Sequence, residues 1–302
     1  LGALVTLRDT TLPGEQAELD ALASALIDQV NAIANAGSAV PAPTTLTSAK
    51  AVSGADAFSA SGTLRVAVVD ADGSTVSTAD IDLSAYSTLA DLVGALDAMD
   101  GLSASIGSDG KLSITADDSA NGVALADIGA AVVAASQGFS DYFGFNDLFS
   151  GSTAADIAVS SRLSGDYSLL ATAALDTAST LAAGDRALST SDSTTIDKLT
   201  AILSGALSFS AAGDQGAKTV TLSSYAASFV SGAATLVSNA SSSAASALST
   251  YQAATTRLQN ATAVNVDEEL ALLTTYQSQY EANAQLVSMV QELFDTLIQM
   301  VN

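Results

Sequence analysis

The sequence has no cysteine and no histidine, three prolines, and nine lysines and arginines against 32 aspartates and glutamates in 302 residues. Each shortage removes a class of chemistry. Without thiol or imidazole there is no thiolate nucleophile, no Ser-His-Asp triad and no ordinary zinc, haem or iron-sulfur site, although oxygen ligands remain available. The net charge of -23 repels phosphate backbones and anionic lipid surfaces, so neither nucleic acid nor membrane is expected as a partner. Aromatics make up 5% of the chain and the 48% hydrophobic fraction is rich in alanine, a composition of closely packed helices. No run reaches the ~20 apolar residues of a transmembrane helix. No catalytic, cofactor-binding or metal-binding residue is assigned, and the chain is not expected to be an enzyme.

Against that background three stretches carry pattern. The first is a helix predicted from Pro13 to Ala36, with Leu19, Leu22, Leu26, Val30 and Ile33 recurring at three and four on one face. Pro13 suits its first turn, and Gly37 followed by Pro41 and Pro43 ends it. Ser38 to Ser61 then reads as a linker with room for one short strand.

From Gly62 to Asp118 the period changes to that of strands. Thr63 to Val69 is a strand, Asp70-Ala-Asp-Gly73 a turn, and Ile81-Asp-Leu83 the end of the returning strand. Thr88 is the N-cap of a helix built on Leu89, Leu92, Val93 and Leu96, after which Ser103 to Ile106 and Lys111 to Thr115 flank Ser108-Asp-Gly110 as a hairpin. Val123 to Ala135 fits neither the helix nor the strand template well, because Gly129 interrupts it. Phe139, Tyr142, Phe143, Phe145 and Phe149 form a domain core or a docking loop. A short helix is expected from Thr195 to Leu203 within a mixed return segment.

Some local patterns invite chemical readings that a turn explains better. Ser108 to Lys111 has the S-x-x-K spacing of acyl-transfer enzymes without the companion motifs. Asp70 to Gly73 resembles the start of a calcium loop but lacks the later ligands. Asp117 and Asp118 are adjacent, so on a strand they point to opposite faces.

The third stretch is a long helix predicted from Leu222 to Leu258. Its stripe of Leu222, Tyr225, Phe229, Ala233, Leu236, Ala240, Ala244, Ala247, Tyr251, Ala254 and Leu258 has a mean step of 3.6. The helix from Pro13 is its expected antiparallel partner. Asn260 to Val264 makes a joint, and a last helix follows with Asn265 as N-cap and Asp267, Glu268 and Glu269 on its positive end. Counting by sevens, Val266, Leu273, Tyr280, Val287, Phe294 and Val301 form an unbroken apolar column. Columns of Leu286, Leu293 and Met300, and of Val290 and Leu297, widen the face beyond what one partner helix covers. With Leu270 and Tyr276 added, the candidate assembly residues are Val266, Leu270, Leu273, Tyr276, Tyr280, Val287, Val290, Phe294, Leu297 and Val301.

These elements predict an α+β chain: a long-helix bundle domain with an inserted β-rich domain and a C-terminal amphipathic assembly helix. The divisions are 1–37 for the first part of the helical domain, 38–155 for the inserted domain, 156–218 for the return segment, 219–262 for the long helix and 263–302 for the assembly helix.

The run Ala263-Val-Asn-Val-Asp-Glu-Glu-Leu270, with Tyr276-Gln-Ser-Gln-Tyr280, Ala282-Asn-Ala-Gln285 and Leu293-Phe-Asp-Thr-Leu297, resembles the C-terminal signature of the first hook-associated proteins of the bacterial flagellum, the hook-filament junction proteins. Leu1-Gly-Ala-Leu4 through Asp9, Leu12-Pro-Gly14 and Phe143-Gly-Phe-Asn-Asp-Leu-Phe149 are similar to further elements of that family. The β-α-β-β pattern resembles the insertion module of flagellins and hook-associated proteins. The resemblance implies a structural adaptor, a ring of chains joining hook to filament, whose last helix pairs with an N-terminal helix of the same chain and packs beside neighbouring subunits around the axial tube. It implies as partners copies of the chain, the flagellar hook protein, a second junction protein on the filament side and an export chaperone. It also implies secretion through the flagellar export apparatus to an extracellular site, for which an unfolded, cysteine-free chain is suited. Because the sequence starts with Leu1 and lacks the family's N-terminal half, it is expected to be a fragment. A secreted adhesin or surface-layer protein would share the composition, and a glycosidase using paired aspartates would be the enzymatic alternative.

Overall fold

The computed structural model describes residues 2–133 and 136–301, with side chains through Met300. Leu1 and the last residues of the Val123 to Ala135 stretch, Ala134 and Ala135, lie outside the described residues. The chain is α+β and divides into two units, 1–234 and 235–302.

Helix α1 (Gly2–Thr6) passes through a π-helical turn (Leu7–Thr11) into α2 (Leu12–Asn35). Strands β1 (Thr45–Ala51), β2 (Ala60–Val69) and β3 (Thr75–Asp82) follow, then α3 (Leu89–Asp97) and strands β4 (Leu102–Ile106), β5 (Lys111–Ala116) and β6 (Gly122–Val132). Short elements come next: α4 (Phe139–Phe143), β7 (Phe149–Ser150), β8 (Ala158–Val159) and α5 (Ser161–Gly165). The chain continues through α6 (Thr194–Ile202), the hairpin β9 (Ala206–Phe209) and β10 (Lys218–Thr221), and the long helices α7 (Leu222–Thr262) and α8 (Val266–Val301). The boundary between the units falls inside α7.

Two antiparallel sheets make the β-rich body, in the orders β3-β2-β6 and β1-β5-β4. The central strand β2 is buried on both faces, which is why its sequence is a nearly continuous apolar run. Leu64, Val66 and Val68 face one core with Leu92, Leu96, Leu112, Ile114, Phe139, Phe143 and Phe145. Ala67 and Val69 face a second core, closed by Ala173, Leu175, Ala187 and Leu188 from an irregular segment that crosses the sheet. The segment is tied down through its backbone: Ala187 and Leu188 donate to Gly73 O, and Thr75 donates to Asp185 O. Arg65, 4% exposed, pairs both oxygens of Asp80 and donates to the carbonyls of Asp176 and Ala178. That pairing holds the Asp80 carboxyl below its ordinary value.

The ambiguous stretch is strand β6, and its glycine is the reason the pattern failed. Register shifts at Thr63, which faces both Ile128 and Gly129, and Gly62 and Gly129 adopt φ of +81° and +62°. A side chain at Gly62 would meet Gly129 O at 2.0 Å. Gly129 therefore belongs to a β-bulge, which adds a residue and breaks alternation. The aromatic cluster is core: Phe139, Phe143 and Phe145 are fully buried with ring centroids 4.8 to 6.1 Å apart. Phe149 belongs instead to the helical core described next.

Thr88 caps α3, its hydroxyl accepting Asp91 N–H. Turns account for the three chemical look-alikes. Asp70 Oδ1 accepts the N–H groups of Asp72 and Ser74, and Asp109 Oδ1 accepts that of Lys111 in the β4-β5 hairpin. Asp117 accepts the Ser103 hydroxyl while Asp118 accepts Ala120 N–H. Among the described residues no group of three or more His, Cys, Asp or Glu side chains is placed to hold a metal ion, and no helix is long and apolar enough to cross a membrane.

Within the first unit helix α2 packs on α6, on β9, on the β7 segment and against the first turn of α7. Val30, Ile202, Leu207, Phe209 and Tyr225 form this third core. Tyr225, in the first turn of α7, stacks on Phe209 at 4.2 Å and donates its hydroxyl to Glu18 O. Phe229 and Ala233 are half-buried, whereas Ala240, Ala244, Ala247, Tyr251, Ala254 and Leu258 are exposed. Aromatic and aliphatic side chains of α6, the hairpin and the first turn of α7 cover the face of α2.

Candidate assembly surface

The second unit contains the end of α7 and all of α8. The two helices are separated by the joint at Ala263, Val264 and Asn265. Asn265 starts α8 as the sequence requires, its side-chain oxygen accepting Asp267 N–H at 3.2 Å and its carbonyl accepting Glu269 N–H at 3.0 Å. Asp267, Glu268 and Glu269 fill the first turn, where carboxylates offset the positive end of the helix dipole. At 1.5 Å per residue the helix is ~54 Å long.

Every described side chain of α8 is exposed. Of the candidate positions, Val266 is 65% exposed, Leu273 54%, Val287 58%, Phe294 63% and Tyr280 78%. Leu270, Tyr276, Val290 and Leu297 are exposed as well. The backbone of Val301 is helical, and its side chain lies outside the described residues. The hydroxyls of Thr274, Thr275, Ser278 and Thr296 donate to carbonyls four residues back. What is left open on α8 is its apolar face.

That face is uneven. In heptad register Glu269 and Asn283 interrupt the flanking column, whereas from Leu286 onward Leu286, Val287, Met289, Val290, Leu293, Phe294, Leu297, Ile298 and Met300 are all exposed. Scattered apolar residues are ordinary on a surface, but a contiguous patch of this kind marks an interaction site. Leu272, Met289 and Ile298 were missed by counting in columns; each neighbours a counted column, and a helical-wheel arc would have included them. The acids Asp267, Glu268, Glu269, Glu281, Glu292 and Asp295 have no lysine or arginine beside them anywhere on α8.

Residues 258–300 match the family model described as flagellar basal body rod FlgEFG protein C-terminal. This matched segment is of the flagellar rod and hook type. It runs from Leu258, at the end of α7, through the joint and along α8, and so includes the capped start and the open apolar face. The match supports a structural flagellar component that assembles with other flagellar structural proteins; it does not single out the junction protein. No curated protein matches the chain.

Proposed function

We propose that the chain is the structural adaptor that joins hook to filament, working without catalysis outside the cell after secretion by the flagellar export apparatus. The observation that supports it is the coincidence of the rod- and hook-type segment with an α8 whose large apolar side chains are open to water. Such a face is covered when helices assemble: each Leu, Val or Phe buried removes apolar surface worth ~1.5–3 kcal/mol. Width argues for more than one covering helix, since apolar side chains from Leu286 to Met300 occupy about half of the circumference at 3.6 residues per turn. Copies of the chain, the hook protein and a second junction protein on the filament side would supply the cover in the assembled structure. An export chaperone would supply it beforehand.

Val266, Leu270, Leu273, Tyr276, Tyr280, Val287, Val290, Phe294, Leu297 and Val301 are the residues assigned to this interface. Val287→Asp or Phe294→Asp should leave the unit of residues 1–234 folded and abolish filament attachment. Motility and filament counts on cells carrying either change test it, and swimming cells with normal filaments would refute the assignment.

A further inference from the structure

Two of the chain's nine lysines and arginines line one cleft in the β-rich body, beside its junction with α2. The cleft has a volume of about 660 Å³, within the range of small-molecule sites. Strands β1 and β5 form one wall, which carries Lys111, and the segment in and around α5 forms another, which carries Arg162. A third wall includes Asp147 and Phe149, and α2 holds it in place. Asn31 accepts the N–H groups of Leu148 and Phe149, each at 2.9 Å, and donates to Phe149 O at 2.8 Å. One turn later Asn35 accepts Asn146 N–H at 2.6 Å and donates to Asp147 Oδ1 at 2.7 Å. Both asparagines are buried, so this wall is set before any ligand arrives.

The cleft carries positive charge that no contact inside the chain neutralises. Arg162 Nη1 donates to Leu169 O at 3.0 Å, while its Nη2 is buried with no hydrogen-bond partner among the described residues. The Lys111 ammonium has neither hydrogen bond nor ion pair among the described residues. Asp147 is the acid facing Arg162, yet the two form no salt bridge among the described residues. Most of the other cations are engaged. Arg8 and Arg65 pair with Asp9 and Asp80, Arg186 donates to Asp72 O, and Lys50 and Lys218 rest on the Tyr142 and Tyr225 rings. Lys198 and Arg257 stand exposed on α6 and α7. A half-buried guanidinium without a contact partner is poorly solvated, so an anion brought to it gains more than at an open surface.

Neutral groups in the same cleft are also unspent. The hydroxyls of Ser160 and Ser161 have no partner among the described residues, and Asp147 Oδ2 is free to accept a hydrogen bond. Phe149, Val159 and Leu169 add apolar surface. We propose that this cleft binds a free acidic sugar, a hydroxylated ring bearing one carboxylate. Arg162 and Lys111 take the carboxylate, and Asp147, Ser160 and Ser161 take ring hydroxyls. One negative charge fits better than two, because Asp147 and the net charge of -23 oppose a dianion such as sulfate. A neutral sugar leaves both cations unpaired. The cleft lies wholly within residues 1–234, so the proposal is independent of whether α8 assembles.

Titration of the full chain with D-glucuronate, followed by amide NMR, tests the site. Shifts at Lys111, Asp147, Ser160 and Ser161 should saturate with a Kd on the order of 1 mM, ordinary for a ligand of this size. D-glucose, and sulfate at the same ionic strength, should each bind at least ~tenfold more weakly. Lys111→Gln and Arg162→Gln should each weaken glucuronate binding by ~tenfold or more. Because Arg162 also ties down Leu169, a misfolded Arg162→Gln leaves the decision to Lys111→Gln, whose ammonium holds no bond in the fold. Glucose or sulfate binding as tightly as glucuronate, unchanged affinity in Lys111→Gln, or no saturating shift at concentrations far above the expected Kd would overturn the proposal.

Discussion

The β-rich body and helix α8 are both rich in apolar side chains, yet the body buries them and α8 does not. In the body, Leu64, Val66 and Val68 on β2 meet residues brought from α3, β5, β6 and α4, separated from them by up to eighty positions in sequence. In α8, Val287 and Phe294 have neighbours along their own helix and no cover within their unit. A helix satisfies its backbone by itself but never its apolar face. The pattern of apolar residues thus says that a face must be covered, and the surrounding chain decides whether the cover is internal.

Substitutions should separate the two regions sharply. Phe143→Ala, within the aromatic core, should cost the body ~3–5 kcal/mol in denaturant unfolding, the range for truncating a buried phenylalanine. Arg65→Ala comes next at ~2–4 kcal/mol, because two carbonyls and Asp80 lose a buried donor while the half-exposed Asp80 recovers water. Asn31→Ala leaves the Leu148 and Phe149 N–H groups without their acceptor and should cost ~1–3 kcal/mol. Asp127→Asn should act in the opposite direction, stabilising by ~1–2 kcal/mol at neutral pH and by little near pH 4, since it removes a carboxylate that resists ionisation.

The smallest effect on unfolding should come from α8. Phe294→Ala should change the stability of the isolated chain by no more than ~0.5 kcal/mol, the range for an exposed site. A loss comparable to that of Phe143→Ala would show that α8 is already sealed in the monomer. Added salt should strengthen self-association through α8, whose charges are all acidic, and sedimentation velocity across a salt series checks it.

Local signals in the sequence located the elements well where a single period or turn residue governs. The β2 run, the Asp70 to Gly73 turn, the Thr88 cap, the β4-β5 hairpin and the Asn265 cap each depend on neighbours within a few residues. Strand β6 was ambiguous because a bulge breaks alternation. Asn31 and Asn35 were invisible because a buried amide in a helix looks like any polar residue until the backbone it grips arrives from more than a hundred positions away. At the candidate surface the columns were legible, while Leu272, Met289 and Ile298 beside them were not counted.

Composition, caps, turns and hydrophobic period by themselves determined that this is an α+β chain without thiol or imidazole chemistry, with an acid-capped apolar helix at its end. Those properties are set by covalent identity and by contacts a few residues long. Tertiary structure decided which face meets which: that α2 packs on α6 and β9, that β2 is covered on both sides, and that Asn31 and Asn35 clasp residues 146–149. Several apolar faces in this chain are equally hungry for cover, and competition for the largest buried area assigns their partners.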